Sequence, residues 1–182
     1  MALWPNAWRN NLPWAGQAQA NTNVLDIHGV IFPRVETKID EMQAGGWQLV
    51  RGVYDFAVST GAQAEYDIFD VTGDVLVQVI GVGKTAVTDA AGASRLQVGV
   101  TGDTDALLAQ IEGPHLTIGD IWHDATPTTK AEKFDLYGAH SAVITGGQDI
   151  VMEISGADIT AGVIHFYCFY KPLSADGHVA PA

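Results

Sequence analysis

The sequence predicts a mostly β protein: a single antiparallel β-sandwich or jelly roll with an extended N-terminal arm. Three observations predict it. Val, Ile, Thr and aromatic residues alternate with polar ones over short runs, the pattern of half-buried strands. Turn-forming residues separate those runs, drawn from 20 glycines and 7 prolines in 182 residues, which favours short strands over long helices. Hydrophobic residues make up 47% and charged residues 16%, so the chain can bury a large core and disorder is excluded as its dominant state. The length suits one domain with an appendage.

Taken in order, residues 1–28 hold Pro5, Pro13 and a cluster of Asn and Gln, with no apolar period lasting a dozen residues, and read as an extended arm. Its Trp4, Trp8 and Trp14 are costly to leave in water, so the rings should be covered by the body or by another subunit. Residues 29–182 form the predicted β-sandwich body. Residues 30–43 suit a strand or a short helix, and Ala44-Gly45-Gly46 breaks the chain before Trp47. From Gly52 the strands sharpen. Tyr54, Phe56 and Val58 alternate with Asp55 and Ala57, and Tyr66-Asp67-Ile68 continues in that style. Residues 74–82 are apolar on both faces, which predicts a central strand. Leu96, Val98 and Val100 alternate with Arg95, Gln97 and Gly99, and Ile150, Met152 and Ile154 flank Glu153, as half-buried strands do. Residues 163–170 are apolar on both sides and should run through the core until Lys171-Pro172 ends them.

The turns share chemistry. Val71-Thr72-Gly73-Asp74 recurs as Val100-Thr101-Gly102-Asp103 and, more loosely, as Ile144-Thr145-Gly146-Gly147. Glycine supplies the positive φ of a tight connection, and Asp or Thr can bond the turn backbone. The unequal spacing, 29 and 44 residues, marks re-used turns and not a repeat protein.

The formal charge is −12, from 9 Lys+Arg and 21 Asp+Glu. Acidity of that size disfavours nucleic acid and anionic membranes as partners, and five Lys/Arg after Gly52 leave little material for a basic patch. The distribution is uneven: residues 1–53 carry four basic and four acidic residues, residues 54–182 five basic and seventeen acidic. Tryptophan is skewed the other way, with Trp4, Trp8, Trp14 and Trp47 early and only Trp122 late. The lone Cys168 forms no intrachain disulfide and sits among aromatic residues, as a buried small apolar residue would. Residues 1–12 lack the pattern of a secretory signal, and the most apolar run, residues 161–170, is too short to span a bilayer.

Catalytic motifs are weak. Gly83-Lys84-Thr85 follows a strand, but a phosphate-binding loop needs a glycine where Gln78 stands, so it reads as a strand end and turn. None of the six histidines is spaced i, i+2 or i, i+4 from another; His123-Asp124 is the best pair for zinc or general-base work, and dispersed histidines more often satisfy hydrogen bonds. No Gly-x-Ser-x-Gly elbow supports a triad. Asp103-Thr104-Asp105 and Asp67/Asp70 offer hard oxygens without a calcium-loop signature, and read as solvated acidic loops. No catalytic, cofactor-binding or metal-ligating residue is predicted.

The phrases VTGDVLVQVIGVGKT, LQVGVTGDTDALLAQ, IWHDATP and GGQDIVMEISGADITAGVIHFYCFYKPLS lie within residues 54–174. Over this stretch, about two thirds of the chain, the sequence resembles small proteins encoded among the virion genes of tailed bacteriophages. The resemblance implies a β-sandwich virion component, either a head-decoration (cement) protein or a fibre or tail module. The resulting expectation is a non-enzymatic virion protein, a homotrimer assembled in the host cytoplasm, that decorates or stabilises the capsid. Trp4, Trp8 and Trp14 would bind the major capsid protein, another virion protein or a neighbouring copy. The alternative is a tail, neck or fibre module that binds host-surface glycan or protein, which predicts exposed aromatics and acids at loops around Trp122-His123-Asp124.

Overall fold

A computed structural model describes residues 46–129, 131 and 141–182, and Trp47–Ala182 forms one compact unit. The arm at residues 1–28 with Trp4, Trp8 and Trp14, its boundary with the body, and the element expected at residues 30–43 lie outside the described residues.

Eleven strands follow in chain order: β1 Gln48–Asp55, β2 Glu65–Thr72, β3 Val75–Asp89, β4 Arg95–Val100, β5 Asp103–Glu112, β6 Asp120–Trp122, β7 Thr128–Thr129, β8 Ala142–Ile144, β9 Ile150–Ser155, β10 Ile159–Pro172 and β11 His178–Pro181. A 3-10 turn, Gly113–His115, separates β5 from β6. One sheet runs β1-β10-β3-β6-β7, with β8 also on β3; the other runs β11-β2-β9-β4-β5. Every pairing is antiparallel. The mostly β, antiparallel sandwich expected from the sequence is what forms.

The connectivity is nested. β1 pairs with β10, β2 with β9, β3 with β6 and β4 with β5. Successive pairs alternate between the two sheets, so the chain winds inward from both ends to the tight β4–β5 connection. The two central strands of the first sheet, β3 and β10, are those whose sequences are apolar on both faces.

Inward side chains of the two sheets meet in one core. Val75, Val77, Ile164 and Phe166 come from the first sheet, and Leu96, Met152 and others from the second. Cys168 lies in this core, where burial raises its thiol pKa well above the ordinary value. Trp122 is fully buried against Phe166, ring centroids 6.2 Å apart, and its indole N–H donates to the Ala109 carbonyl at 3.1 Å. Such a partner lets a polar ring edge sit in a dry interior.

The echoed turns are turns. Gly73, Gly102 and Gly146 have φ of 64°, 88° and 71°, the left-handed region that residues with a Cβ avoid. Two of them touch: the Gly146 N–H donates to the Asp74 carboxylate at 3.2 Å, and the Gly147 N–H to the Gly73 carbonyl at 3.3 Å.

Two element boundaries differ from expectation. The strand expected from Gly52 through Val58 begins at Gln48 and stops at Asp55. There the Asp55 carboxylate accepts the Ala57 N–H at 2.9 Å and its carbonyl accepts those of Val58 and Ser59. This local turn overrides the alternation, and Val58 is left 81% exposed. Gly83-Lys84-Thr85, expected at a strand end, lies inside β3. A Cβ at Gly83 would stand 2.2 Å from the Thr117 carbonyl oxygen. The glycine therefore lets the loop before β6 approach the strand, and no turn is needed to explain it.

Candidate functional site

The two sheets turn chemically different faces outward. On the first sheet, strand register aligns the side chains turned away from the core in rows: Lys171 with Leu76 and Val143; Leu49 with Phe169 and with Gln78, which is itself buried; Arg51 with Tyr167 and Ile80; Val53 with His165, Val82 and Ile121. Most of these residues are apolar. Leu49, Val53 and Val143 are 57%, 50% and 58% exposed.

Cations punctuate the same face. Arg51, Lys84 and Lys171 are three of the four Lys/Arg among the described residues, and none of the three makes an ion pair there. Burial, then the positive charges of Arg51 and Lys84, lowers the pKa of His165 between them. The sequence leaves little material for a basic patch, and the fold brings Arg51 and Lys84 to His165, with Lys171 further along the same face. It does so because β1, β10 and β3 are neighbours despite their separation along the chain.

The outer face of the second sheet is acidic and polar. Glu65, Asp67 and Asp70 of β2 are exposed. Next to them Gln97 donates to Glu153 at 2.8 Å and to Thr104 at 2.7 Å, and Gln110 donates to Gln97 at 2.8 Å. Among the described residues the one Lys or Arg here, Arg95, pairs with Glu112 at 3.2 Å.

The weak catalytic candidates do not converge. His123 Nδ1 stands 3.7 Å from the Asp124 carboxylate. Asp67 and Asp70 are exposed on β2, and Asp103 and Asp105 on β5. Among the described residues, no group of three or more His, Cys, Asp or Glu is close enough to hold a metal ion. No helix among them is long and apolar enough to cross a membrane. Trp122, offered as part of an exposed loop site, is instead a core residue. It follows an isoleucine on a strand whose alternation turns the ring inward, so His123-Asp124 lacks an aromatic platform beside it.

Leu49, Arg51 and Val53 were not singled out from sequence. Their signal was present: they alternate with Val50, Gly52 and Tyr54, so one set had to face outward. Which set does so depends on β10, far along the chain.

Fold and surface thus define a class, an antiparallel β-sandwich with one apolar, cationic face and one acidic face. No family model matches the chain, and no curated protein sequence matches it. Among solved structures it is similar to a chain in the acidic stable capsid structure of Helicobacter pylori bacteriophage KHP30, with 12% identity and a TM-score of 0.42, covering 75% of this chain and 94% of that one.

Proposed function

We propose that the protein is a non-enzymatic virion structural protein of a tailed bacteriophage, a jelly roll that decorates or stabilises the capsid. The observation that carries this reading is the opposition of the two sheet faces. A decoration protein needs one side that holds to a protein lattice and one that stays in solvent. An apolar face with unpaired cations suits the first, and an acidic face suits the second. The four nested strand pairs support the jelly-roll reading, since an eight-stranded hairpin rolled into two sheets gives that order. Jelly rolls are an architecture of viral capsid domains, and the virion-gene resemblance of residues 54–174 points the same way.

In this reading Trp4, Trp8 and Trp14 anchor the protein to the major capsid protein or to a neighbouring copy, in a homotrimer. Each indole buries a large area for little lost side-chain freedom. No specific observation favours the glycan-binding alternative: Trp122, beside His123-Asp124, is internal, and Trp47, Tyr66, Tyr167 and Phe169 are half-buried.

Rebinding tests the proposal. Full-length protein should bind capsids that lack it and reach hundreds of copies per particle. The full-length chain with all three tryptophans replaced by Ala should stay in the supernatant. Equal binding of the two would remove the anchoring role, and a few copies per particle would move the protein to neck or tail.

A further inference from the structure

The geometry points to the outer edge of β1 as a two-fold contact between copies of this chain, formed by antiparallel pairing of β1 with β1 of the partner subunit. The inference is independent of the virion reading, and it adds a two-fold link to whatever other symmetry the assembly has.

Among the described residues β1 ends its sheet, and its register with β10 runs unbroken from Gln48 to Asp55. The Phe56 N–H donates to the Gly162 carbonyl at 3.1 Å. By alternation the even-numbered residues of β1 bond β10, and Leu49, Arg51 and Val53 turn their main-chain groups to the free side. Natural edges are normally guarded by shortness, proline, bulges or charge. The other described edges have such guards. β7 has two residues, and β11 has four and ends at Pro181. β5 pairs irregularly with β4 and exposes Asp103 and Asp105. β1 has eight residues, no proline and no bulge, and on its outward side the exposed Leu49 and Val53 flank a single exposed charge, Arg51.

Charge selects both occupant and register. With the two-fold axis at Val53, Val53 faces the partner's Val53, and Arg51 faces the partner's Asp55 on each side of the axis; the Asp55 carbonyl is held in its own turn by the Val58 and Ser59 N–H groups, so the main-chain bonds come from the Val53 pair and the Asp55 N–H. Outward residues then lie beside outward residues, as the pleat requires. Arg51 has no ion-pair partner among the described residues, and only one oxygen of the Asp55 carboxylate is engaged by the Ala57 N–H. Opposite charges directly across a strand pair stabilise it. A shift of the axis to Arg51 would oppose two guanidinium groups. The contact is isologous, so it closes on itself and does not run on into a fibre.

Single cysteines in the full-length chain test this, with Cys168 left in place because it is buried. Val53→Cys should form a disulfide-linked dimer under mild oxidation, because facing Cα atoms in such a pair are about 5.5 Å apart. Leu49→Cys should not, because its two copies would be about 27 Å apart at the rise of an extended strand. By sedimentation, Arg51→Asp should weaken self-association about tenfold, since it places like charges opposite each other twice. Equal cross-linking at both positions, self-association unchanged by Arg51→Asp, or a wild-type chain that sediments as a monomer would each overturn the inference.

Discussion

Trp122 shows how one side chain ties the sheets together. It arises on a strand of the first sheet, packs on Phe166 of the same sheet, and reaches the Ala109 carbonyl of β5 in the second. Trp122→Ala should therefore lower stability by about 3–5 kcal/mol, read as a shift of the urea midpoint with unchanged slope. Tyr54 is a second buried ring, whose hydroxyl donates to the Thr60 carbonyl at 2.9 Å. Burial, then the neighbouring Tyr66, pushes its pKa from 10.0 up to about 12. The folded state thus keeps this proton where the unfolded chain gives it up, so stability is intact below pH 10 and falls as pH rises toward 12. Tyr54→Phe should flatten that part of the alkaline unfolding profile while leaving the neutral-pH fold in place, as circular dichroism against pH would show.

At the scale of elements, the strands differ in how easily the sequence gives them away. β4 alternates with one face in the core, and β9 does so apart from the buried Val151, so hydrophobic period alone locates them. β3 over residues 75–82 and β10 over residues 163–170 are largely apolar on both faces, which marks them as central but leaves their facing undecided. β1 ends earlier than its alternation suggests because Asp55 captures three N–H groups in a turn, and side-chain period carries no information about that competition. β11 is short, yet it covers β2: Val179 is buried, and the Tyr170 hydroxyl lies 3.1 Å from His178 Nδ1. Removal of residues 178–182 should lower stability by about 2 kcal/mol for the lost valine burial and leave the edge of β2 bare. Denaturant unfolding would show the first effect, and light scattering at raised concentration the second.

For the whole molecule, the charge of −12 is less informative than its layout. The sequence resolves the charge into a balanced N-terminal part and an acidic remainder. It cannot show that Arg51 of the balanced part meets Lys84 and His165 of the acidic part, because these become neighbours only through strand pairing across the nested fold. Gly83-Lys84-Thr85 is a piece of strand, and the repeated Thr-Gly phrases are tight turns with positive φ. The candidate interaction surface depends on long-range register, which is why local patterns found the strands and missed the face.

The nesting of the strands also sets an order in time. The Tyr170 hydroxyl donates to Gln48, 122 residues earlier in the chain, and every residue of β1 takes its partner from β10. At a synthesis rate of about 5–20 residues per second, β1 leaves the ribosome roughly 6–24 seconds before the strand that completes it. The innermost pair, β4 with β5, has its partners at once. Among the described strands β1 has no partner until β10 is made, so the growing chain carries this apolar strand unpaired through most of its synthesis.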